Sequence, residues 1–524
     1  MSEATIHPGV VYLVGAGPGD PGLVTQRARQ LVAAADILLI DRLGTAALVP
    51  LARPDAELVD VGKVAGNHAM PQEAINGLLV DAARAGRIVV RLKGGDPYLF
   101  GRGGEEALAC RAAGVPFEVV PAVTSAFAGA AAAGIPVTHR DLSRHVTVVT
   151  ASAGRDGKGD PDYAWLAQSD GTLVLLMGLR RISHIAAQLI EHGMTPSTPV
   201  AVVSRATSSE QRTVTGSLTT IGSLVERAQL PSPAIIVIGE VVSLREHLDW
   251  FEQRPLFGVR VGVTRARAQA SELVERLEEL GAQVVETPLI RTEPLPPGEL
   301  DATIDALGEL GTLVFTSRNG VDTFFARMHE RGLDARALGS CRVAVVGTAT
   351  EQALLAWGVR ADVIPPLGAR TSVGLLDTLA ELPVFGTRCV IVRAEQGDDR
   401  LPEGLERLGV ETTVAKVYRT VVEEPDEATI AALRACDVVS LTSESTAKRA
   451  AALLPAGPDR PPVVTIGPTT TSAAIWNGFT VLEQAADANI AAVVDAVVSR
   501  AQANRGRLRW DIAAEGAPAA ATRA

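Results

Sequence analysis

The stretch VYLVGAGPGDPGLVTQRARQLVAAADILLID, residues 11–41, decides the fold of the first half of the chain. An apolar strand runs through a glycine turn into a helix and then a second apolar strand, which is the pattern of an α/β unit. Its glycines stand at Gly15, Gly17 and Gly19, and Asp20 takes the place of the third glycine of a dinucleotide-binding loop. A carboxylate there would repel a phosphate, so we expect a tight turn with Asp20 as a helix cap.

Length and composition set the class of protein. At 524 residues the chain exceeds one ordinary core, and with 47% hydrophobic residues it suits several α/β layers. A formal net charge of −11 argues against nucleic-acid binding and for a soluble, cytoplasmic protein. We expect no membrane span, because no apolar run reaches roughly 18–20 residues. Four cysteines without CxxC spacing predict buried free thiols and no metal site.

Apolar segments alternate with helical patterns throughout the first half. This alternation predicts open α/β sheets, with strands at 10–14, 37–40, 88–92, 117–120, 146–150, 172–177, 200–203 and 234–238. A linker is expected near residues 253–257, between domains at 8–250 and 258–503. Residues 504–524 lack periodicity and are predicted to form a disordered tail. We expect no separate NAD-binding domain before the first domain.

The second half contains an internal repeat. The pieces VGVTRA, LVFTSRNGV and VAVVGTATEQALLAWG are followed later by CVIVRAE, VVSLTSEST and VVTIGPTTTSAAIWNG, in the same order and with the same chemistry. Between them lie two similar acidic, proline-containing crossings, IRTEPLPPGE and YRTVVEEPDE. Two α/β lobes joined by paired connectors would explain this repeat. Because ligands of open α/β sheets bind beyond the carboxyl ends of the strands, a cleft between the lobes is the expected site.

A second glycine loop, IVVRLKGGDPYLFGRGGEE at residues 88–106, follows a buried strand of the first half. Paired glycines let a ligand approach the backbone closely. The same half contains the shorter motifs DRL, VGK, GIPVTHRD and LMG. In these motifs and in the two glycine loops, residues from about 10 to 250 resemble the uroporphyrinogen-III C-methyltransferases of the tetrapyrrole methylase family. The resemblance implies two α/β lobes, S-adenosyl-L-methionine between them, and methylation of pyrrole carbons on a tetrapyrrole that carries eight carboxylates.

The resemblance also implies roles for particular residues of this chain. Asp41 matches the proton acceptor of the family and Lys63 its proton donor. The implied cofactor contacts are Pro18, Gly94, Gly95, Asp96, Leu99, Thr124, Ser125, Met177 and Ala206. The chain departs from the family at Ala122 and Ala206, where glycine is usual, and alanine disfavours the positive φ angles that glycine allows.

The substrate carboxylates call for cations. Arginine binds carboxylates in a bidentate manner, and the candidates are Arg42, Lys63, Arg102, Arg140 and Arg144. For each of these residues, a solvated surface role is the alternative. Asp41 itself could equally be a loop carboxylate paired with an arginine.

Residues from about 258 to 503 resemble the uroporphyrinogen-III synthase family in the pieces LVFTSRNGVDTFF, VAVVGTATEQAL, VYRT and LTSESTAKRAAALL. The resemblance implies two α/β lobes on a two-stranded connector, one of them discontinuous (about 258–290 with 422–503) and the other at about 293–420. It also implies dehydration and ring closure of hydroxymethylbilane with Tyr418 as proton donor, without a metal or an organic cofactor. Hydroxyls at strand ends, which could bind carboxylates or merely cap helices, are Thr316, Ser317, Thr348, Ser443 and Thr469.

Together the two resemblances predict a bifunctional enzyme. Its second half would make uroporphyrinogen III and its first half would methylate that product twice to precorrin-2, on the branch toward sirohaem and cobalamin. The expected partners are tetrapyrrole substrates and a second copy of the chain, because the methylase family is commonly dimeric. Two alternatives stay open: a methyltransferase with an inactive synthase-like scaffold, and a non-enzymatic tetrapyrrole-binding regulator.

Overall fold

The structure is a computed structural model. It describes residues 6–41, 44–45, 48–62, 70–152, 159–265, 267–339, 341–366, 368–381 and 388–503. The chain divides into two compact units, Met1–Gly258 and Val259–Ala524. The predicted tail at 504–524 lies outside the described residues.

The first unit contains ten strands and eight α-helices among its described residues. The strands are β1 (Val11–Gly15), β2 (Ile37–Ile40), β3 (Glu57–Asp60), β4 (Val89–Lys93), β5 (Phe117–Val120), β6 (Val146–Thr150), β7 (Thr172–Leu176), β8 (Pro199–Ser204), β9 (Arg212–Ser217) and β10 (Ala234–Ile238). The helices are α1 (Gln26–Ala34), α2 (Gln72–Arg84), α3 (Gly103–Ala112), α4 (Ser125–Ala132), α5 (Tyr163–Leu166), α6 (Ile182–Glu191), α7 (Ile221–Ala228) and α8 (Arg245–Leu248).

The first lobe of this unit is a parallel sheet in the order β3-β2-β4-β1-β5. Alternate residues of β1 face opposite sides: Val11 and Leu13 pack toward α2 and α3, whereas Tyr12 and Val14 pack toward α1. Helices therefore cover both faces, as a parallel sheet requires. The carboxyl ends of β1, β2 and β4 meet at one edge, which brings the two glycine loops and Asp41 together.

The second lobe is a mixed sheet in the order β6-β7-β10-β8-β9. Its strand β10 runs antiparallel to both of its neighbours, β7 and β8. Helix α4 joins the lobes and buries Ala126 and Ala130 against Ile235 and Val237 of β10. The strands predicted at 37–40, 117–120, 146–150 and 234–238 have the observed bounds, whereas β3 and β9 were not predicted.

The second unit also contains ten strands and ten α-helices among its described residues. The strands are β11 (Arg260–Val263), β12 (Gln283–Glu286), β13 (Ile290–Pro294), β14 (Thr312–Phe315), β15 (Arg342–Val345), β16 (Arg388–Ala394), β17 (Glu411–Val422), β18 (Val438–Leu441), β19 (Val463–Thr465) and β20 (Val481–Gln484). The helices are α9 (Arg267–Glu279), α10 (Gly298–Asp305), α11 (Arg318–Glu330), α12 (Thr348–Ala356), α13 (Ser372–Ala380), α14 (Arg400–Arg407), α15 (Glu427–Arg434), α16 (Glu444–Leu453), α17 (Pro468–Trp476) and α18 (Ile490–Ala503).

These strands form two five-stranded sheets, one in each lobe. The discontinuous lobe has the parallel order β12-β11-β18-β19-β20, and the continuous lobe has the order β13-β17-β16-β14-β15. The two crossings predicted from the sequence are β13 and the end of β17, which pair antiparallel from Ile290 opposite Val422 to Pro294 opposite Tyr418. The predicted fold class, two-lobed α/β domains in both halves, is confirmed.

The structure shows where the cysteines lie and how apolar the helices are. Cys110, Cys341, Cys389 and Cys436 are all buried and free, as predicted. Within the described residues, no helix combines the length and the apolar character needed to cross a bilayer. The same residues contain no cluster of three or more histidine, cysteine or acidic side chains able to hold a metal ion.

Candidate active sites

Asp41 lies directly after β2, at the edge where the glycine loops converge. Its backbone N–H donates to the Leu92 carbonyl of the neighbouring strand at 3.2 Å, which fixes its position at the end of the sheet. The carboxylate Oδ1 accepts a hydrogen bond from Arg91 Nη2 at 2.7 Å, and a third of the Asp41 side chain stays exposed. A carboxylate anchored on one side and open on the other can accept a proton from a bound substrate.

A buried network of charged residues lies behind Asp41. Arg91 and Lys93 both point from β4 toward α3, where Glu106 Oε1 accepts from Arg91 Nε at 2.9 Å and from Lys93 Nζ at 3.0 Å. Glu106 is fully buried, and the two cations are 3% and 2% exposed. Burial, and next the charge of Arg91, lowers the pKa of Lys93. Sequence analysis missed this network, although two cations inside an otherwise apolar strand were a visible sign of it.

The two glycine loops contact each other through the backbone. Gly17 N–H donates to the Gly95 carbonyl at 3.3 Å, and Gly95 N–H donates to the Gly17 carbonyl at 2.7 Å. Both glycines have positive φ angles, 76° and 67°. A Cβ on Gly95 would meet no atom within 4 Å, so the loop borders open space there. Pro18 and Gly94 lie beside this bridge and are half-buried, which leaves backbone and ring atoms accessible to a ligand.

Asp96 joins the second glycine loop to the loop after β5. Its Oδ2 accepts from the Ala122 N–H at 3.0 Å and its Oδ1 from the Tyr98 N–H at 2.8 Å. Two residues further on, Thr124 caps α4, and its Oγ1 accepts from the Ala126 N–H at 3.3 Å. Ser125 is the first residue of that helix. The predicted contacts Asp96, Thr124 and Ser125 are therefore close along connected loops.

The other predicted contacts lie in or against the second lobe. Leu99 and Ala206 both pack against the hydrophobic cluster of β7, β8, β10 and α4. A Cβ on Gly19 would lie 3.7 Å from Thr207 Oγ1, so the loop after β1 reaches the loop after β8. The Thr207 hydroxyl is buried and makes no hydrogen bond to any described residue. Met177 lies after β7 with its side chain exposed. A polar group of a ligand could satisfy Thr207.

Backbone strain is concentrated in these loops. Six described residues other than glycine have positive φ angles, and five of them follow β4, β7 or β8: Phe100, Arg102, Met177, Arg205 and Thr207. Such conformations cost of order 1–3 kcal/mol each and often occur at ligand sites. Ala122 and Ala206 are not among the strained residues. Alanine therefore replaces the usual glycine at both positions without backbone strain. The departure from the family at these two residues does not require a positive φ angle.

The predicted cations of the first half have different outcomes. Arg42 and Lys63 lie outside the described residues. Arg102 is held by Glu105 through two hydrogen bonds, from Nε at 2.8 Å and from Nη2 at 2.7 Å. Arg140 and Arg144 are exposed near the turn after α4. Their binding roles stay predictions.

In the second half, Tyr418 lies near the end of β17 and is buried. Its hydroxyl is 2.9 Å from Ser317 Oγ, and Ser317 caps α11 by accepting from the Gly320 N–H at 3.1 Å. Burial raises the pKa of Tyr418, while hydrogen bonds to Ser317 and Asn319 act in the opposite direction. The phenol therefore stays protonated at neutral pH and is available as a proton donor.

A cleft of about 510 Å³ lies between the two lobes of the second unit, lined by residues from both. Ser317 and Thr348, two of the predicted hydroxyls, line it together with Asn319, whose hydrogen bond reaches Tyr418. Thr348 also pairs with the guanidinium of Arg370. The amino-terminal ends of α11, α12 and α18 open into the same cleft, so the positive ends of their helix dipoles favour an anionic ligand.

Three predicted hydroxyls do not line this cleft. Thr316 bonds weakly to the Val392 carbonyl at 3.5 Å, Ser443 caps α16 in a reciprocal capping box with Thr446, and Thr469 is exposed on α17. Sequence analysis missed the arginines that do line the cleft, Arg265, Arg276 and Arg318. The position of Arg265 at the end of the strand VGVT was the sign that could have found it.

Each half of the chain matches a known protein family. A model of tetrapyrrole (corrin/porphyrin) methylases matches residues 10–222, and one of uroporphyrinogen-III synthase HemD matches residues 271–495. The porphyrin biosynthesis protein HemD of Ruminiclostridium josui is 40% identical over 379 residues, which are 71% of this chain and 75% of that protein. The chain belongs to the tetrapyrrole methylase family. Because the match of 379 residues exceeds the first unit, the similarity continues into the synthase half.

Two further proteins are similar to this chain. The uroporphyrinogen-III C-methyltransferase of Bacillus subtilis is 42% identical over 347 residues, 66% of this chain and 70% of that protein. The crystal structure of uroporphyrin-III C-methyl transferase from Thermus thermophilus complexed with S-adenyl homocysteine is 43% identical, with a TM-score of 0.39, and covers 45% of this chain and 99% of that one.

Family membership confirms three predictions made from the sequence. The chain is a fusion of a methylase domain and a uroporphyrinogen-III synthase domain, it is an enzyme of tetrapyrrole biosynthesis, and its cofactor is S-adenosyl-L-methionine. The first unit fits that cofactor. The loops offer backbone groups around Gly17 and Gly95, open space at Gly95 and an unsatisfied hydroxyl on Thr207, and Asp20 stands where a phosphate would otherwise bind.

Proposed function

We propose that the second half converts hydroxymethylbilane to uroporphyrinogen III and that the first half methylates this product twice to precorrin-2. The observation that carries the proposal is the Asp41 carboxylate, which is fixed by Arg91 at the edge where both glycine loops end. The second half adds a buried phenol, Tyr418, whose hydroxyl contacts Ser317, a residue that lines a cleft suited to anions. The product of one half is the substrate of the other, which supports both assignments together.

In the methylation step, bound S-adenosyl-L-methionine supplies a methyl group on a positively charged sulfur. A pyrrole carbon of the substrate would form a bond to that methyl group, and the electron pair of the broken carbon–sulfur bond would stay on sulfur. Asp41 accepts the proton that leaves the methylated ring system. The loops contribute by orientation and by excluding water, which supply much of the rate in such a displacement.

In the cyclisation step, the Tyr418 hydroxyl gives a proton to the departing hydroxyl of hydroxymethylbilane, which leaves as water. Ring closure with inversion of ring D then releases a proton that restores the phenol. Ser317 orients the Tyr418 hydroxyl through its 2.9 Å contact. Because the cleft is lined by hydroxyls and helix N–H groups, it can hold substrate carboxylates while the two ends of the linear chain approach each other.

The purified full-length chain tests this proposal directly. Given hydroxymethylbilane alone, it is expected to form uroporphyrinogen III, and with S-adenosyl-L-methionine added it is expected to form precorrin-2. Methylation of supplied uroporphyrinogen III without isomer III synthesis would favour the scaffold alternative. Binding of tetrapyrrole without any turnover would favour the regulator. Formation of the type I isomer alone would contradict the synthase assignment.

We also propose that the methyltransferase half forms a homodimer. It exposes apolar side chains, among them Tyr98 (56% exposed), Phe127 (44%) and Trp165 (59%), and their burial against a second copy would be favourable. Sedimentation velocity at micromolar concentration tests this, and a purely monomeric chain would contradict it.

We further propose a cytoplasmic location, from the net charge of −11 and the substrates of the family. Fractionation of cells that produce the protein provides the test, and recovery of the activity in the membrane or secreted fraction would contradict the proposal.

A further inference from the structure

The cleft of the second unit carries an excess of positive charge. The described side chains that line it include three arginines, Arg265, Arg276 and Arg318, and one carboxylate, Glu272, which gives this set a net charge of +2 in a chain whose net charge is −11. Glu272 forms an ion pair with Arg276 at 2.9 Å on α9. The lining of the cleft is therefore suited to an anionic ligand.

Arg265 and Arg318 come from different lobes. Arg265 follows β11 in the discontinuous lobe, whereas Arg318 is the first residue of α11 in the continuous lobe. Arg265 is half-buried, and Arg318 keeps half of its side chain exposed, with a long contact of 3.4 Å to Asp322. Both side chains line the same cleft, so they approach it from opposite walls.

The two guanidinium groups are close enough to repel each other. Burial lowers the pKa of Arg265, and the positive charge of Arg318 lowers it further, partly offset by Glu272. Two like charges facing each other across a cleft are relieved when an anion enters between them. Arginine is the side chain best suited to that task, because its planar fork binds carboxylates in a bidentate manner.

We propose that Arg265 and Arg318 form one carboxylate-binding site, in which a single acid group of the linear tetrapyrrole binds both arginines and thereby links the two lobes. This inference rests on the synthase function proposed above. The site holds the substrate in a folded arrangement next to Tyr418. Substrate that escapes from it cyclises in solution without inversion of ring D.

Steady-state kinetics with hydroxymethylbilane test the shared site in the full-length chain. Arg265→Gln and Arg318→Gln are each expected to raise KM by about 10- to 100-fold, the loss of one charge-assisted contact. The fraction of type I isomer is expected to rise in parallel. If one carboxylate binds both arginines, the double variant is expected to have a KM within about threefold of the worse single variant. Independent, multiplying effects would overturn the shared site.

Arg276→Gln is the matched control. It removes the same charge from the same cleft but leaves the cross-lobe pair, so its KM is expected to change less than about threefold. An equal loss in this variant would overturn the inference in favour of a general effect of cleft charge. Methylation of supplied uroporphyrinogen III and an unchanged melting curve verify that each variant is folded, and Arg318→Gln alters an exposed side chain.

Failure of this inference is distinguishable from failure of the proposed function. If the unaltered chain makes no uroporphyrinogen III, the synthase assignment itself is wrong. If the unaltered chain is active and Arg265→Gln and Arg318→Gln keep their KM and their isomer ratio, only the shared carboxylate site is overturned.

Discussion

Arg91 and Asp41 form an ion pair of 2.7 Å at the end of two neighbouring parallel strands, with the arginine almost fully buried and the carboxylate partly open. Glu106 accepts a hydrogen bond from Nε of the same guanidinium at 2.9 Å. Arg91 thus connects a structural carboxylate inside the lobe to a carboxylate at the site. We interpret Arg91 as a positioning residue that fixes Asp41, and the first prediction follows from this geometry.

Replacing Arg91 by Lys is expected to lower kcat for methylation by about 10- to 100-fold, because one ammonium group cannot reach both carboxylates as the guanidinium fork does. The KM for S-adenosyl-L-methionine is expected to change little, since the cofactor loops are untouched. Arg53→Lys, at a surface ion pair with Asp55, is the control. A variant whose kcat and KM both match the unaltered chain would contradict a positioning role.

Glu106→Gln is expected to destabilise the chain by about 3–5 kcal/mol, because it leaves the buried Lys93 without its compensating charge and leaves Arg91 paired with Asp41 alone. The free energy of unfolding is measured by urea denaturation, from the transition of the first unit. Glu105→Gln, one residue earlier and exposed, is the matched control for stability and is expected to cost less than about 1 kcal/mol. Equal stability of the two variants would contradict the network.

Gly15→Ala is expected to weaken S-adenosyl-L-methionine binding and to lower the melting temperature. A Cβ on Gly15 would lie 2.5 Å from the Ala122 Cβ and 2.7 Å from the Gly95 carbonyl, where the loops after β1, β4 and β5 meet. Gly77→Ala in α2 is the control, because no atom lies within 4 Å of its added methyl group. That variant is expected to gain up to about 1 kcal/mol of stability. Calorimetric titration with the cofactor measures the change in affinity, and thermal unfolding measures the change in stability, for each of the two variants.

Asp20→Ala tests whether the carboxylate of the opening loop caps a helix or binds a ligand. Asp20 caps the short 3₁₀-helix Pro21–Leu23 by accepting from the Gly22 N–H at 2.7 Å. Its loss is expected to cost about 1 kcal/mol of stability and to leave cofactor affinity unchanged. Asp20→Asn, which keeps an acceptor, is expected to restore the stability. A large fall in affinity with intact stability would instead assign Asp20 to the ligand.

How much of the fold the sequence predicts depends on the kind of signal. Strands such as Ile37–Ile40 and Phe117–Val120 are short apolar runs and were predicted with the observed bounds, whereas β9, Arg212–Ser217, is a half-buried edge strand of mixed polarity and was missed. The cap at Asp20 was predicted, but it belongs to a 3₁₀-helix, and α1 begins later with Thr25 as its cap.

The site was predictable only where residue type and position coincide. Asp41 could be found because it ends an apolar strand inside recognisable motifs. The Arg91–Glu106 pair joins residues 15 apart on a strand and a helix, and the cleft arginines Arg265 and Arg318 come from separate lobes. Such pairs depend on tertiary contacts, which a linear pattern does not encode.

The buried thiols predict a pH dependence. Burial raises the pKa of Cys341 from 9.0 to about 11 and that of Cys389 from 9.0 to about 12. Because the folded values exceed the unfolded value, this contribution to stability is complete below pH 9 and is lost as the pH rises toward 11–12. Urea unfolding of the second unit from pH 8 to pH 11 is expected to show falling stability.

The double variant Cys341→Ala with Cys389→Ala is expected to reduce that slope, and the remaining slope is expected from Cys436, whose pKa burial raises to about 12. Labelling with an aromatic disulfide reagent at pH 8 is expected to be slow in the folded chain and complete in urea, because reactivity requires the thiolate. Rapid labelling of all four thiols without denaturant would contradict the burial of these side chains.

The product that Asp41→Ala makes shows directly whether two active sites act in sequence on one chain. The variant is incubated with hydroxymethylbilane and S-adenosyl-L-methionine, and the products are separated by chromatography after oxidation. Asp170→Asn, at a side chain 98% exposed, is the control and is expected to make precorrin-2. For Asp41→Ala we expect uroporphyrinogen III to accumulate as the end product, with methylation lowered by orders of magnitude. Precorrin-2 at the control rate, or type I isomer in place of uroporphyrinogen III, would contradict the account.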